Sequence, residues 1–88
     1  MELASQIAVV TGSARGIGKT IAMSLAEAGA NIVISDLNVE AGKETAEEIK
    51  AMGRKSIWVE ADVSKNDQAN LLIETTQEKF GRLDILVK

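Results

Sequence analysis

Apolar and polar positions along the chain switch period six times. Short runs rich in Val and Ile, such as Ile7-Ala8-Val9-Val10 and Ile32-Val33-Ile34, alternate with longer stretches whose apolar residues recur every three or four positions. The runs predict strands at 6–11, 31–36, 56–60 and 84–88, and the longer stretches predict helices at about 16–28, 39–52 and 65–80. The nearly continuous apolar strands are those of a parallel sheet covered on both faces. In the first helix Ile17, Ile21 and Leu25 share a face that Ala22 and Ala26 widen with small side chains. Gly29, Gly53 and Gly81 stand just past the three helices, where a left-handed residue closes the last turn. Asn38 and Ser64 stand where N-caps belong, and Asp67, three residues after Ser64, suggests a capping-box variant.

Right-handed crossovers decide how this βαβαβαβ order folds. The first two helices go to one face, the third crosses to the other, and the strand order becomes 3-2-1-4. The expected fold is an α/β, three-layer, partial Rossmann arrangement of four parallel strands. In such sheets ligands bind at the carboxyl ends of the strands where the order reverses, here between strands 1 and 4.

That point coincides with Thr11-Gly12-Ser13-Ala14-Arg15-Gly16-Ile17-Gly18, which leaves strand 1 and opens the first helix. Glycines there permit a sharp turn and close approach of a ligand, and the helix aims free N–H groups and the positive end of its dipole at an anion. Asp36 closes strand 2, 18 positions beyond Gly18. A carboxylate so placed accepts the two ribose hydroxyls of a dinucleotide and repels a 2′-phosphate, which favours NAD over NADP. Arg15 pulls the other way, because a guanidinium in the loop can pair with that phosphate. Each feature also has a plainer reading: the loop as a tight turn in a flavodoxin-like domain that binds nothing, Asp36 and Asp62 as acids complementing helix dipoles.

Composition narrows the function. The chain has 88 residues, 45% of them hydrophobic, a net charge of −3, and Trp58 and Phe80 as its only aromatics. One small domain is expected, burying roughly 60–65% of the surface its unfolded form exposes. Neither a basic footprint nor a stacking platform for nucleic acid is present. With no Cys and no His, disulfides and the common metal sites are excluded. No run approaches the ~20 apolar residues of a membrane span, and the first residues lack secretory-signal character, so a cytoplasmic protein without membrane partners is expected.

These residues resemble the amino-terminal part of the short-chain dehydrogenase/reductase family, in its classical branch. The loop is similar to that family's T-G-x-x-x-G-x-G, Asp36 to its NAD-selecting acid, Asp62-Val63 to its adenine-contacting pair, and Leu83 to Val87 to the strand before its N-N-A-G motif. In wording the loop and the Ala61-Asp62-Val63-Ser64 stretch are similar to bacterial 3-oxoacyl-(acyl-carrier-protein) reductases. The resemblance implies hydride transfer between NAD(P)H and a carbonyl/alcohol pair. It implies that Gly12, Ser13, Arg15, Gly16, Ile17 and Gly18 hold the phosphates, Asp36 the ribose, and Asp62 and Val63 the adenine.

The family's catalytic Ser, Tyr-x-x-x-Lys and Asn have no counterpart among these residues, which contain no Tyr. No catalytic residue is therefore assigned. Residues 1–88 are expected to be one dinucleotide-binding segment, about the first third of such an enzyme, truncated after strand 4 and unable to turn over alone. The alternative is a nonenzymatic nucleotide-binding or interaction module, in which the exposed fourth strand pairs with a partner chain or a second copy.

Overall fold

A computed structural model describes residues 2–88. Its elements run β1 (Ile7–Thr11), α1 (Gly16–Glu27), β2 (Asn31–Ser35), α2 (Val39–Ala51), β3 (Ser56–Val59), α3 (Asn66–Phe80) and β4 (Ile85–Val87). The four strands are parallel and ordered β3-β2-β1-β4, as the crossover argument requires. Each element lies within a residue or two of its expected bounds. Asp36 falls one residue beyond β2, outside the strand.

Two cores divide the molecule. Ala8, Val10, Ile32 and Ile34 face Ala22 and Ala26 of α1 and Ala46 and Ile49 of α2, while Ile7, Val9 and Val33 face Leu72 of α3 on the other side. Alternate residues of β1 and β2 thus feed opposite cores, which is why these strands read as unbroken apolar runs. Ile32, Ile34, Ile49 and Leu72 are among the largest fully buried side chains. Burial of each contributes ~1.5–3 kcal/mol, so these four outweigh any exposed ion pair in the chain.

Two sequence expectations are corrected. The sheet-facing stripe of α1 centres on Ala22 and Ala26, with Ile21 and Leu25 half-buried beside it, and Ile17 is 81% exposed. Small side chains let the helix axis approach the strands, and the larger residues are displaced to the flanks. Ser64 does not cap α3. That helix starts at Asn66 with Lys65 as its N-cap, and the cap makes no side-chain hydrogen bond. Asp62 captures Ser64 instead, its Oδ1 accepting from the Ser64 N–H at 3.1 Å and from the hydroxyl at 2.6 Å. Asn38 does cap α2, accepting from the Ala41 N–H at 3.0 Å. Gly29, Gly53 and Gly81 all have positive φ, as their positions require.

One charged group ties β4 to β1. Asp84 Oδ2 accepts the Ile7 N–H at 2.8 Å, and its Oδ1 accepts from Arg82 Nε and Nη2 at 3.1 and 2.7 Å. The Arg82 hydrogen bonds, then the Ile7 N–H, hold the Asp84 carboxyl below the usual carboxylate range; hydrogen bonds from Ser64 do the same for Asp62. A carboxyl depressed by folding contributes stability above its unfolded pKa, and that contribution is lost as pH falls through the folded value. Thermal melts should therefore weaken below about pH 4. Asp84→Asn should melt lower than wild type at pH 7, and the gap should narrow towards pH 3. Parallel melting curves across that range would remove Asp84 from the acid response.

Candidate dinucleotide site

The parallel register sets the site. Thr11, Ser35 and Val59 lie side by side, so the chain leaves β1, β2 and β3 along one edge. There Thr11, Gly12, Ser35, Asp36, Leu37, Ala61, Asp62 and Val63 border a cleft of about 220 Å³. Thr11 and Val63 also border a groove of about 380 Å³ between α3 and β4, with Asn70, Ile73 and Leu86 on its walls. The two depressions meet over β1, whose neighbours β2 and β4 lie on opposite sides.

The loop after β1 is held from several directions. Ser35 O accepts from the N–H groups of Gly12 at 2.8 Å and Ser13 at 3.4 Å. The Ser13 side chain is fully buried, donating to Val10 O and accepting the Ser35 N–H at 3.3 Å. Its hydroxyl therefore shapes the loop from within and is not presented to the cleft. Ala14 is fixed through both of its backbone polar groups: its N–H donates to Asp36 Oδ2 at 3.1 Å, and its carbonyl accepts from buried Thr45 Oγ1 at 2.8 Å. Asp36 Oδ1 accepts the Asn38 N–H at 3.0 Å. Each Asp36 oxygen thus carries one protein N–H and keeps a lone-pair site for another donor.

Three glycines in this loop do different work. Gly12 and Gly16 have φ of +61° and +66°, and a Cβ on either would meet nothing within 4 Å. Their demand is conformational, and the space above them is open. Gly18 is sterically confined. A Cβ there would lie 2.8 Å from the Gly12 carbonyl carbon and closer still to its oxygen. Beyond this packing, α1 begins with Arg15 as an N-cap that makes no side-chain capping bond, and no acid lies in the first turn. Among the described residues no side chain accepts from its leading N–H groups, and its positive dipole end faces no acid of the first turn. Arg15 is exposed and in no ion pair among the described residues.

Gly12, Asp36, Asp62 and Val63 are thereby brought to one cleft. Arg15, Gly16, Ile17 and Gly18 lie beside it at the start of α1, outside its lining. The sequence reading missed Thr45 and Trp58. Thr45 had a legible signal, a hydroxyl within the buried stripe Gly42-Thr45-Ala46-Ile49 of α2. Ser35 Oγ, at the floor of the edge, is buried without a hydrogen-bond partner.

The fold has close counterparts. A family model described as short chain dehydrogenase matches residues 6–88. The chain belongs to the short-chain dehydrogenase family. It matches the amino-terminal part of that family. An uncharacterized oxidoreductase of Thermotoga maritima is 44% identical over 87 residues, which cover 99% of this chain and 34% of that protein. A 3-oxoacyl-[acyl-carrier-protein] reductase of Synechocystis is 42% identical over 86 residues, 97% of this chain and 35% of the relative. Among solved structures, a short-chain dehydrogenase/reductase from Burkholderia phymatum in complex with NAD superposes with a TM-score of 0.91 at 31% identity. That match covers 98% of this chain and 31% of the solved one. The chain spans about a third of the length of these relatives. No helix among the described residues is long and apolar enough to cross a membrane.

Proposed function

We propose that this chain forms the dinucleotide-binding part of an NAD-dependent oxidoreductase acting on a carbonyl/alcohol pair. One observation carries the reading: the cleft bordered by Gly12, Asp36, Asp62 and Val63 adjoins a helix start that offers N–H groups and no acid. The residues suit the cofactor. Open space above Gly12 and Gly16 admits a pyrophosphate close to the backbone, and the free end of α1 supplies donors for it. Gly12, Gly16, Ile17 and Gly18 form this cradle, with Ser13 shaping it from inside and Arg15 at its rim. Asp36 takes the ribose hydroxyls on its remaining lone pairs and disfavours a 2′-phosphate, while Asp62 and Val63 flank the adenine. When bound, the cofactor would carry the hydride.

These residues bind and orient. With no Tyr in the chain, no general acid of the Tyr-x-x-x-Lys kind is available from them, so residues 1–88 alone should bind without turnover. Residues 1–88 act as a single unit in this reading, with a cytoplasmic setting. Affinity should be modest because the cleft is shallow, with a dissociation constant on the order of 1 mM, equivalent to about −4 kcal/mol.

A second reading is favoured by the free side of β4, which among the described residues pairs with β1 alone and leaves Leu86 41% exposed. A strand of another chain, a second copy included, could add there. Titrating the ¹⁵N-labelled chain with NAD⁺ and, separately, NADP⁺ decides between the readings. Saturable amide shifts at residues 12–18, reached at lower NAD⁺ than NADP⁺, are expected. A folded chain whose amides do not respond would reduce the loop to a structural turn and leave the β4 edge as the working surface.

A further inference from the structure

Trp58 makes a hydrogen bond that the cofactor reading leaves unused. It stands opposite Ile34 in the β3 register and packs against the core beneath α1 and α2. The indole occupies a notch in α2 that only glycine leaves open: a Cβ on Gly42 would collide with Cδ1 and Nε1 and lie 3.1 Å from Cγ. Glycine within a helix costs about 1 kcal/mol relative to alanine, so the notch exists against the helix's own preference. Seated there, Trp58 Nε1 donates to the main-chain oxygen of Asp36 at 3.1 Å. Lys43 Nζ lies 5.7 Å from the ring centroid, on the same turn of α2 as the notch.

The accepting carbonyl belongs to the peptide joining Asp36 to Leu37. Leu37 is 55% exposed and gives that peptide little anchorage. Rotation about the Asp36 backbone would carry the Asn38 N–H away from Oδ1 and re-aim the carboxylate, because φ and ψ are the soft dihedrals of the chain. The indole N–H opposes that rotation at the carbonyl, while Ala14 and Asn38 fix the carboxylate. A phenylalanine would fill much of the same core volume without this bond.

We propose that Trp58 is a positioning residue for nucleotide recognition, fixing the Asp36 peptide so that its carboxylate meets the ribose hydroxyls. The proposal rests on the reading of Asp36 as the ribose acceptor. It is tested on the full 88-residue chain with ADP and 2′-deoxy-ADP, whose ratio of dissociation constants isolates ribose-hydroxyl recognition. Trp58 is the chain's one tryptophan, so biosynthetic replacement by the benzothiophene analogue exchanges its N–H for sulfur while keeping ring shape; Trp58→Phe is the second variant. Both should lower the 2′-deoxy-ADP to ADP ratio about three- to tenfold, the size of one hydrogen bond's effect. In the free protein both should shift the Ala14 and Asn38 amides. A packing role alone would lower the melting temperature and leave the ratio unchanged, and that result overturns the proposal. A wild-type chain that binds neither nucleotide overturns the dinucleotide reading together with this proposal, whereas a wild-type ratio that both variants preserve overturns this proposal alone.

Discussion

Gly18→Ala is expected to cost the chain ~1–2 kcal/mol of stability net and its response to NAD⁺. The new methyl group meets backbone, namely the Gly12 carbonyl and, at 3.1 Å, Ser13 Cα, so no side chain can rotate away to relieve it. The loop must lift from α1, yet Ser35, Asp36 and Thr45 all hold that loop down. Alanine gains about 1 kcal/mol over glycine in a helix, and overpacking typically costs ~1–3 kcal/mol, more against rigid neighbours. The clash wins. For a domain of this size a net loss of 1 kcal/mol lowers the melting temperature by roughly 4–8 °C, so a fall of about 10 °C is a reasonable target for calorimetry. Gly12→Ala provides the contrast: it meets no atom within 4 Å and is strained through its φ of +61° alone, so it should melt above Gly18→Ala. An unchanged melting curve and NAD⁺ titration for Gly18→Ala would show that the close loop–helix packing carries neither stability nor binding.

Much of this architecture was legible because it rests on period and chirality. Alternation in β1 and β2 feeds two cores, and the right-handed crossover rule then leaves one arrangement, which the structure adopts. The glycine-rich loop was legible for the same local reason, a turn between strand and helix that needs positive φ at Gly12 and Gly16. What the pattern could not convey is which way a side chain turns once inside the fold. The family resemblance makes Ser13 a phosphate ligand, yet it is buried in the structure, where its hydroxyl donates to Val10 O and accepts the Ser35 N–H. Ile17 looks like core and lies in the open, because α1 approaches the sheet through alanines. Ser64 looks like a cap, yet Asp62, two residues earlier, takes its hydrogen bonds first. Thr45 and Trp58 lie 31 and 22 residues from the groups they hold; the stripe of α2 marks the Thr45 hydroxyl as buried, but no local pattern names the distant partner of either.

Asp36 should prove the other most sensitive position, because in the proposed site one carboxylate would serve the loop and the ligand together. Both of its oxygens accept protein N–H groups, from Ala14 and Asn38. Asp36→Ala should therefore lower the melting temperature by about 5–10 °C, corresponding to ~1–2 kcal/mol for two partly solvated hydrogen bonds. It should also weaken NAD⁺ binding by about tenfold or more, since hydrogen bonds to a charged group contribute ~1.5–3 kcal/mol. Asp36→Asn separates the two roles. An amide keeps one accepting oxygen and turns its NH₂ towards the other N–H, so about half of the lost stability should return. The charge does not return, and with it goes the repulsion of a 2′-phosphate. Arg15, exposed and without an ion pair among the described residues, then stands unopposed, and the preference should move towards NADP⁺. Adding Arg15→Ala to Asp36→Asn should cancel that move. Amide-shift titrations of wild type, Asp36→Ala, Asp36→Asn and the double variant with both nucleotides check this, and an Asp36→Asn chain whose preference between NAD⁺ and NADP⁺ equals that of wild type would remove charge from the account of selectivity.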